Sequence, residues 1–237
     1  MHATASIRHR YAYILRPSHV QRIWGVLSEQ IGTVSATASC SDHIERQFTS
    51  LDDLLGFENS RTRAIRSLYI RAASRESDSA AGVTIEADSW STLSLRVEGE
   101  ESLVQRIRDG ISEVFDGMRA WYSAIARLDF FYVVFGFVGI AYMVLRSMVG
   151  GDTPSPAMKL SQAVWLTLGL LGFIAALSFL VWFLNRIRQR FFPIATIALG
   201  QGIERYDFDD KVRWVVLVGF VVSVFASIVA TLLLPIG

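Results

Sequence analysis

Three long apolar runs, all in the second half of the chain, constrain this sequence more than any other feature. Residues 130–149 hold one charge, Arg146, near the far end, and 163–184 and 214–234 hold none. Twenty helical residues at about 1.5 Å each cover about 30 Å, the thickness of a bilayer's hydrocarbon core. Three such helices are too many for the core of a chain of 237 residues to bury. The runs therefore predict three transmembrane helices, the last closed by Pro235 and Gly237.

Charge orients them. The segment between the second and third runs carries Arg186, Arg188, Arg190, Arg205, Lys211 and Arg213, whereas the one between the first and second carries only Lys159. Lys and Arg mark cytoplasmic loops. The first half of the chain is then expected in the cytoplasm and the C-terminus outside, as in a bacterial inner membrane. Trp121, Tyr122, Trp182 and Trp214 fall near the inner interface and Trp165 near the outer one, where aromatic belts belong. The outer loop, 150–156, is rich in Gly and Pro and turn-forming. No leader is expected, because residues 1–16 lack an apolar stretch.

Residues 1–99 predict a cytoplasmic α+β domain, so the fold class is an α+β domain followed by an all-α transmembrane domain of three helices at 128–237. Strands are expected over 6–15, 33–41 and 64–73, a helix from Pro17 to about Ile31, a short capped helix from Ser50 to Gly56, and a hairpin of 82–87 and 92–97 around Asp88-Ser89. Residues 75–81 read as a loop. From Glu100 the spacing of Leu103, Val104, Ile107, Ile111, Val114, Phe115 and Met118 is helical. No proline interrupts it, so a connecting helix over 100–127 is expected to run into or abut the first span.

Catalytic and metal chemistry find little footing. His2, His9, His19 and His43 lack metal-ligand spacing, and no phosphate loop, serine elbow or kinase signature is present. Gly200-Gln201-Gly202 is a fragment of a glycine pattern, and Asp52-Asp53 and Glu100-Glu101 are dipole-favoured acids at helix starts. Cys40 is the one cysteine, which excludes an internal disulfide; it reads as a strand residue. No enzyme activity, cofactor or metal is expected. The net charge of +1 gives no bulk attraction to nucleic acid. Locally, Arg61, Arg63, Arg66, Arg71 and Arg75 lie within fifteen residues. They could grip the phosphates of a nucleotide or oligonucleotide, or form a solvated face paired with Asp52, Asp53 and Glu58.

In the third run Gly219, Ser223, Ser227 and Thr231 recur every fourth residue and make one stripe of small, weakly polar side chains. Such a stripe serves close helix packing or lines a water-filled path between several copies. The second run has Gly169, Gly172 and Ala176, and the first Gly136 and Gly139. No ionisable residue lies at mid-membrane, which argues against proton-coupled transport. Arg186, Arg188 and Arg190 serve topology and lipid headgroups, or form a collar at a pore mouth. The segment 191–206 is too apolar for a free loop and is broken by Pro193; it is expected at the membrane interface or packed beneath the soluble domain.

The stretch Phe191-Phe192-Pro193, then Leu199-Gly200-Gln201-Gly202-Ile203-Glu204-Arg205, followed by 211–214, resembles one that recurs in bacterial membrane proteins. The layout, a small sensor-like domain before a few spans, is similar to membrane effectors of anti-phage defence, the Hailong-type DNA-gated channel component among them. The resemblance implies antiviral defence and ion transport and assigns no ligand-binding residue. The expectation is a homo-oligomeric ion channel, a tetramer being favoured, controlled by its cytoplasmic domain through a nucleotide, an oligonucleotide or a regulatory protein. The alternative is a non-conducting anchor or receptor that recruits a partner; a surface enzyme is the third reading.

Overall fold

The computed structural model describes residues 1–74, 78–86, 93–149 and 160–233. They form two units, Met1–Ala124 with Pro193–Gly237, and Ile125–Phe192.

The first unit contains an α+β domain. Six strands form an antiparallel sheet in the order β1-β7-β6-β5-β3-β4: β1 His2–His9, β3 Val34–Cys40, β4 Glu45–Phe48, β5 Ile65–Ser74, β6 Ser79–Glu86 and β7 Leu93–Glu100. Side chains alternate across a strand. Leu68, Ile70, Val83, Ile85, Leu95 and Val97 therefore share one buried face. Helices α1 (Pro17–Gln30) and α3 (Glu101–Gly117) cover that face with Val20, Ile23 and Leu27, and with Val104, Ile107 and Ile111. The opposite face carries Thr4, Ser6, Arg8, Tyr69, Arg71 and Arg96, and neither α1 nor α3 packs on it.

The strand expected over 6–15 divides. β1 ends at His9, and Tyr13–Leu15 becomes β2, which pairs in parallel with β8 (Ala195–Ile197). Competition from a segment some 180 residues downstream decided this, and local pattern is blind to such competition. β4 was not expected: only Phe48 of its Glu-Arg-Gln-Phe is buried, so an edge strand leaves no alternation to read. Its turn is closed by Asp42, which accepts from the Ile44 N–H at 3.1 Å and holds Arg46 by two bonds of 3.1 and 2.6 Å. The short helix is α2, Leu51–Gly56, capped by Ser50 as its sequence predicts. Ser79–Ala81 belong to β6, where a loop was expected. Arg75, the Asp88-Ser89 turn and the outer loop 150–156 lie outside the described residues.

The helix expected over 100–127 stops at Gly117. The Ile14 N–H donates to the Met118 carbonyl at 2.8 Å, Tyr13 bridges Arg119, and the Ala120 N–H donates to the Ala12 carbonyl at 2.8 Å. β2 thus captures the chain that would have continued the helix. A five-residue helix α4, Ser123–Arg127, follows.

In the second unit α5 (Phe130–Val149) and α6 (Leu160–Phe191) contact each other. Among the described residues one stretch, Leu171–Phe191 of α6, is long and apolar enough to cross a membrane; only 6% of its most apolar window is buried, the reverse of a soluble core helix. Phe130–Val144 of α5 is a shorter apolar stretch. The last helix, α7 (Gly202–Leu233), belongs to the first unit and runs 32 residues without a break, about 48 Å at 1.5 Å per residue.

Candidate functional site

Two features of the first unit carry the chemistry: the docking of the 193–213 segment onto the α+β domain, and the uncovered sheet face.

Docking begins at Asn59, which is buried with φ 46°. Its Nδ2 donates to the carbonyls of Ile197 at 3.1 Å and Leu199 at 3.0 Å, and its Oδ1 accepts from the Ile65 N–H at 2.9 Å. One side chain thus satisfies three buried backbone groups, each of which would cost about 1–3 kcal/mol unpaired. The Gln201 N–H donates to the Glu58 carbonyl at 2.8 Å, and the Arg205 guanidinium donates to the Asn59 carbonyl. Contact this close needs glycine. Gly200 has φ 49°, and a Cβ there would lie 2.4 Å from the Phe57 carbonyl oxygen; one on Gly202 would lie 2.6 Å from that of Ile197. The Gly-Gln-Gly fragment is therefore a backbone docking element. The expected packing of 191–206 against the soluble domain is seen for Ala195–Leu199, with Ala198 and Leu199 buried.

The first turns of α7 are held next. Arg213 is 1% exposed and is the largest fully buried side chain among the described residues. Its guanidinium lies 4.8 Å from the Tyr122 ring centre and 5.5 Å from that of Tyr206, and bonds Asp210 at 3.2 Å. A desolvated cation–π contact is worth about 2 kcal/mol. Burial pushes the Tyr122 phenol up, against lowering by the nearby Thr196 hydroxyl and by the Arg213 charge. Trp121 stacks on Trp214 at 5.5 Å. Tyr122 is 1% exposed, because it covers the cation that ends the polar part of α7. Trp121 and Trp214 remain half exposed.

On the uncovered face, register places Ser6, Arg96, Gly82, Arg71 and Ser35 in one row, and Arg8, Ser94, Thr84, Tyr69 and Thr37 in the next. A recess of about 600 Å³ lies over them. Arg96 is held by Glu98 at 2.6 and 3.1 Å.

The structure does not gather the arginine cluster read from sequence. Arg71 lines this recess; Arg61 and Arg63 stand on a 3-10 turn, Arg61–Arg63. Arg66 sits beside the register shift at Ser39/Cys40, about 16 Å from Arg71 along β5 at about 3.3 Å per residue. Arg96, in the same row across Gly82, and Arg8, on the far rim of the same recess, come from strands at either end of the domain sequence. Alternation along each strand was the available signal; the pairing that joins the strands was not.

The collar arginines also separate. Arg186 and Arg190, spaced i,i+4, line one recess on α6, whereas Arg188 turns away and donates to the Leu128 carbonyl. Two residues along a helix is about 200° of rotation, so the three could not share a face. In α7 Gly219, Ser223 and Ser227 are exposed, and the Ser223 hydroxyl donates to the Gly219 carbonyl at 2.8 Å. Thr231 continues the same helix; its side chain is outside the described part. No group of His, Cys, Asp or Glu among the described residues is placed to hold a metal ion.

No family model, curated protein or solved structure matches this chain.

Proposed function

We propose that this protein is a homo-oligomeric membrane channel, an effector whose cytoplasmic α+β domain controls a pore built from α7. α5, α6 and α7 form the three-span transmembrane domain in this reading. From Trp214 to Leu233, α7 offers twenty residues, about 30 Å, which matches the hydrocarbon core. The arginines of the 186–213 segment hold it on the cytoplasmic side of a bacterial inner membrane, leaving the C-terminus outside.

The observation that carries the reading is the continuity of α7. One unbroken helix runs from Arg213, buried by Tyr122 and Tyr206, to the stripe of Gly219, Ser223, Ser227 and Thr231. A rotation imposed at the tyrosine pair is delivered to the stripe without a hinge. One copy of three spans is too thin to enclose water, so several copies, four being favoured, surround the axis. The layout is in keeping with a defence effector that permeabilises the membrane when its domain is triggered.

Purified full-length protein in a planar bilayer tests this. Wild type is expected to pass current and Ser227→Trp to block it. Unchanged current through Ser227→Trp, or a strict monomer in detergent, sinks the channel. A silent bilayer with a stably bound cytoplasmic protein supports the rival reading, a non-conducting anchor or receptor.

A further inference from the structure

We propose that the uncovered sheet face is a binding site for a single nucleotide: an aromatic ring seated on Tyr69, with its phosphate held by Arg71 and Arg8. This inference rests on the α+β domain being the controlling half of the protein, although binding is measured without any current.

The floor of the recess is built for a flat ligand. Tyr69 is 42% exposed although it lies on a sheet. It faces Gly82 across the strand pair: a Cβ on Gly82 would come within 2.8 Å of its hydroxyl and 3.0 Å of its ring. The missing side chain lets the phenol lie close over β6 while much of the ring stays open to solvent. Aromatic rings so placed on open sheets stack bases. The surrounding Ser6, Ala80, Thr84 and Ser94 are small and leave the space open. Its volume of about 600 Å³ falls within the usual range of ligand sites, about 300–1,000 Å³.

The charges are poised for an anion. Arg71 is two residues from Tyr69 on β5 and so on the same face. Arg8 lies in the tyrosine's own row, three strands away across β6 and β7, and reaches in from the far rim of the recess. Neither has a carboxylate partner among the described residues, whereas Arg96 between them is held by Glu98. Arg96 thus stands as a fixed cation while Arg71 and Arg8 are available for forked hydrogen bonds to phosphate.

The same map limits the ligand's size. The basic zone is two rows deep, about 7 Å along the strands. Glu98 follows it on one side and Glu100 beyond; Glu86 and Glu45 bound it on the other. Further phosphates in either direction would meet carboxylates. A mononucleotide with one or two phosphates fits this pattern, and a longer strand does not.

Calorimetric titration of the full chain in detergent, with nucleoside mono- and diphosphates of all four bases, tests the site. At least one is expected to bind, with free nucleoside and inorganic phosphate at least tenfold weaker. Tyr69→Leu and Arg71→Gln should each weaken binding at least tenfold without moving the melting temperature. Gly82→Val, which lifts the tyrosine, should do the same, and Arg108→Gln on α3 should change nothing. Absence of binding by every nucleotide overturns the proposal, as does unchanged affinity in both Tyr69→Leu and Arg71→Gln. A twelve-residue oligodeoxynucleotide that binds through Arg71 more tightly than any mononucleotide would also overturn it and assign the face to a strand. A channel that proves silent leaves these heats unaffected.

Discussion

At the residue scale, two glycines separate conformational cost from steric necessity. Gly25 lies inside α1 with nothing near its missing Cβ, so Gly25→Ala should stabilise the domain by about 0.5–1 kcal/mol. Gly200 combines φ 49° with a carbonyl at 2.4 Å from its missing Cβ. Gly200→Ala should cost about 1–3 kcal/mol in backbone strain alone and open the 195–201 segment to protease. Paired thermal melts check both signs, and an unmoved melt for Gly200→Ala would refute the docking. Asp42 offers a titration. Hydrogen bonding to Arg46 lowers its carboxyl to about 2, against an unfolded value of about 3.9. The folded pKa is depressed, so its contribution is complete above the unfolded value and disappears as pH falls through about 2. Carbon-detected NMR should find that low midpoint, and Arg46→Gln should return it to the ordinary carboxylate range.

At the element scale, α7 is the conduit of the proposed channel, and its first turns are held to the domain by the Arg213 cluster. Arg213→Met keeps length and burial and removes the cation. It should cost about 2 kcal/mol through the lost cation–π contacts, measured by melting temperature, and shift the trigger sensitivity of any current. Arg213→Lys keeps charge without the planar fork and should recover only part of it. Full recovery by lysine would show that charge alone matters. The α3 segment illustrates what periodicity reads well and badly. The apolar stripe from Val104 to Phe115 is buried as spaced, because it depends only on the helix's own repeat. The helix's end depends on β2, whose backbone bonds to 118–120 compete with further turns.

At the scale of the whole molecule, the reading stands or falls on orientation. Single cysteines give the test, since Cys40, the natural one, is buried. In intact cells Asp152→Cys should react with an impermeant maleimide from outside and Lys211→Cys only after lysis. Reversed labelling would overturn the N-terminus-inside arrangement. Of the arginines read as one cluster in sequence, Arg61 and Arg63 share a turn while Arg66 and Arg71 stand apart from them and from each other, and on α6 Arg188 parts from Arg186 and Arg190. The recess that brings Arg8, Arg71 and Arg96 together draws on β1, β5 and β7, which no linear window contains.

Several properties belong to the sequence alone. Apolar length, the bias of arginine towards one loop, two-residue alternation in strands and 3.6-residue spacing in helices are all local, and physics reads them within a single window. Tertiary structure decided the rest: the division of 6–15 into β1 and β2, the role of Gly200-Gln201-Gly202 as a close backbone contact, the burial of Arg213 between two tyrosines and the close approach of Tyr69 to Gly82. Each depends on residues far apart in the chain meeting at a few ångströms, where an absent Cβ or a shared hydrogen bond outweighs any local preference.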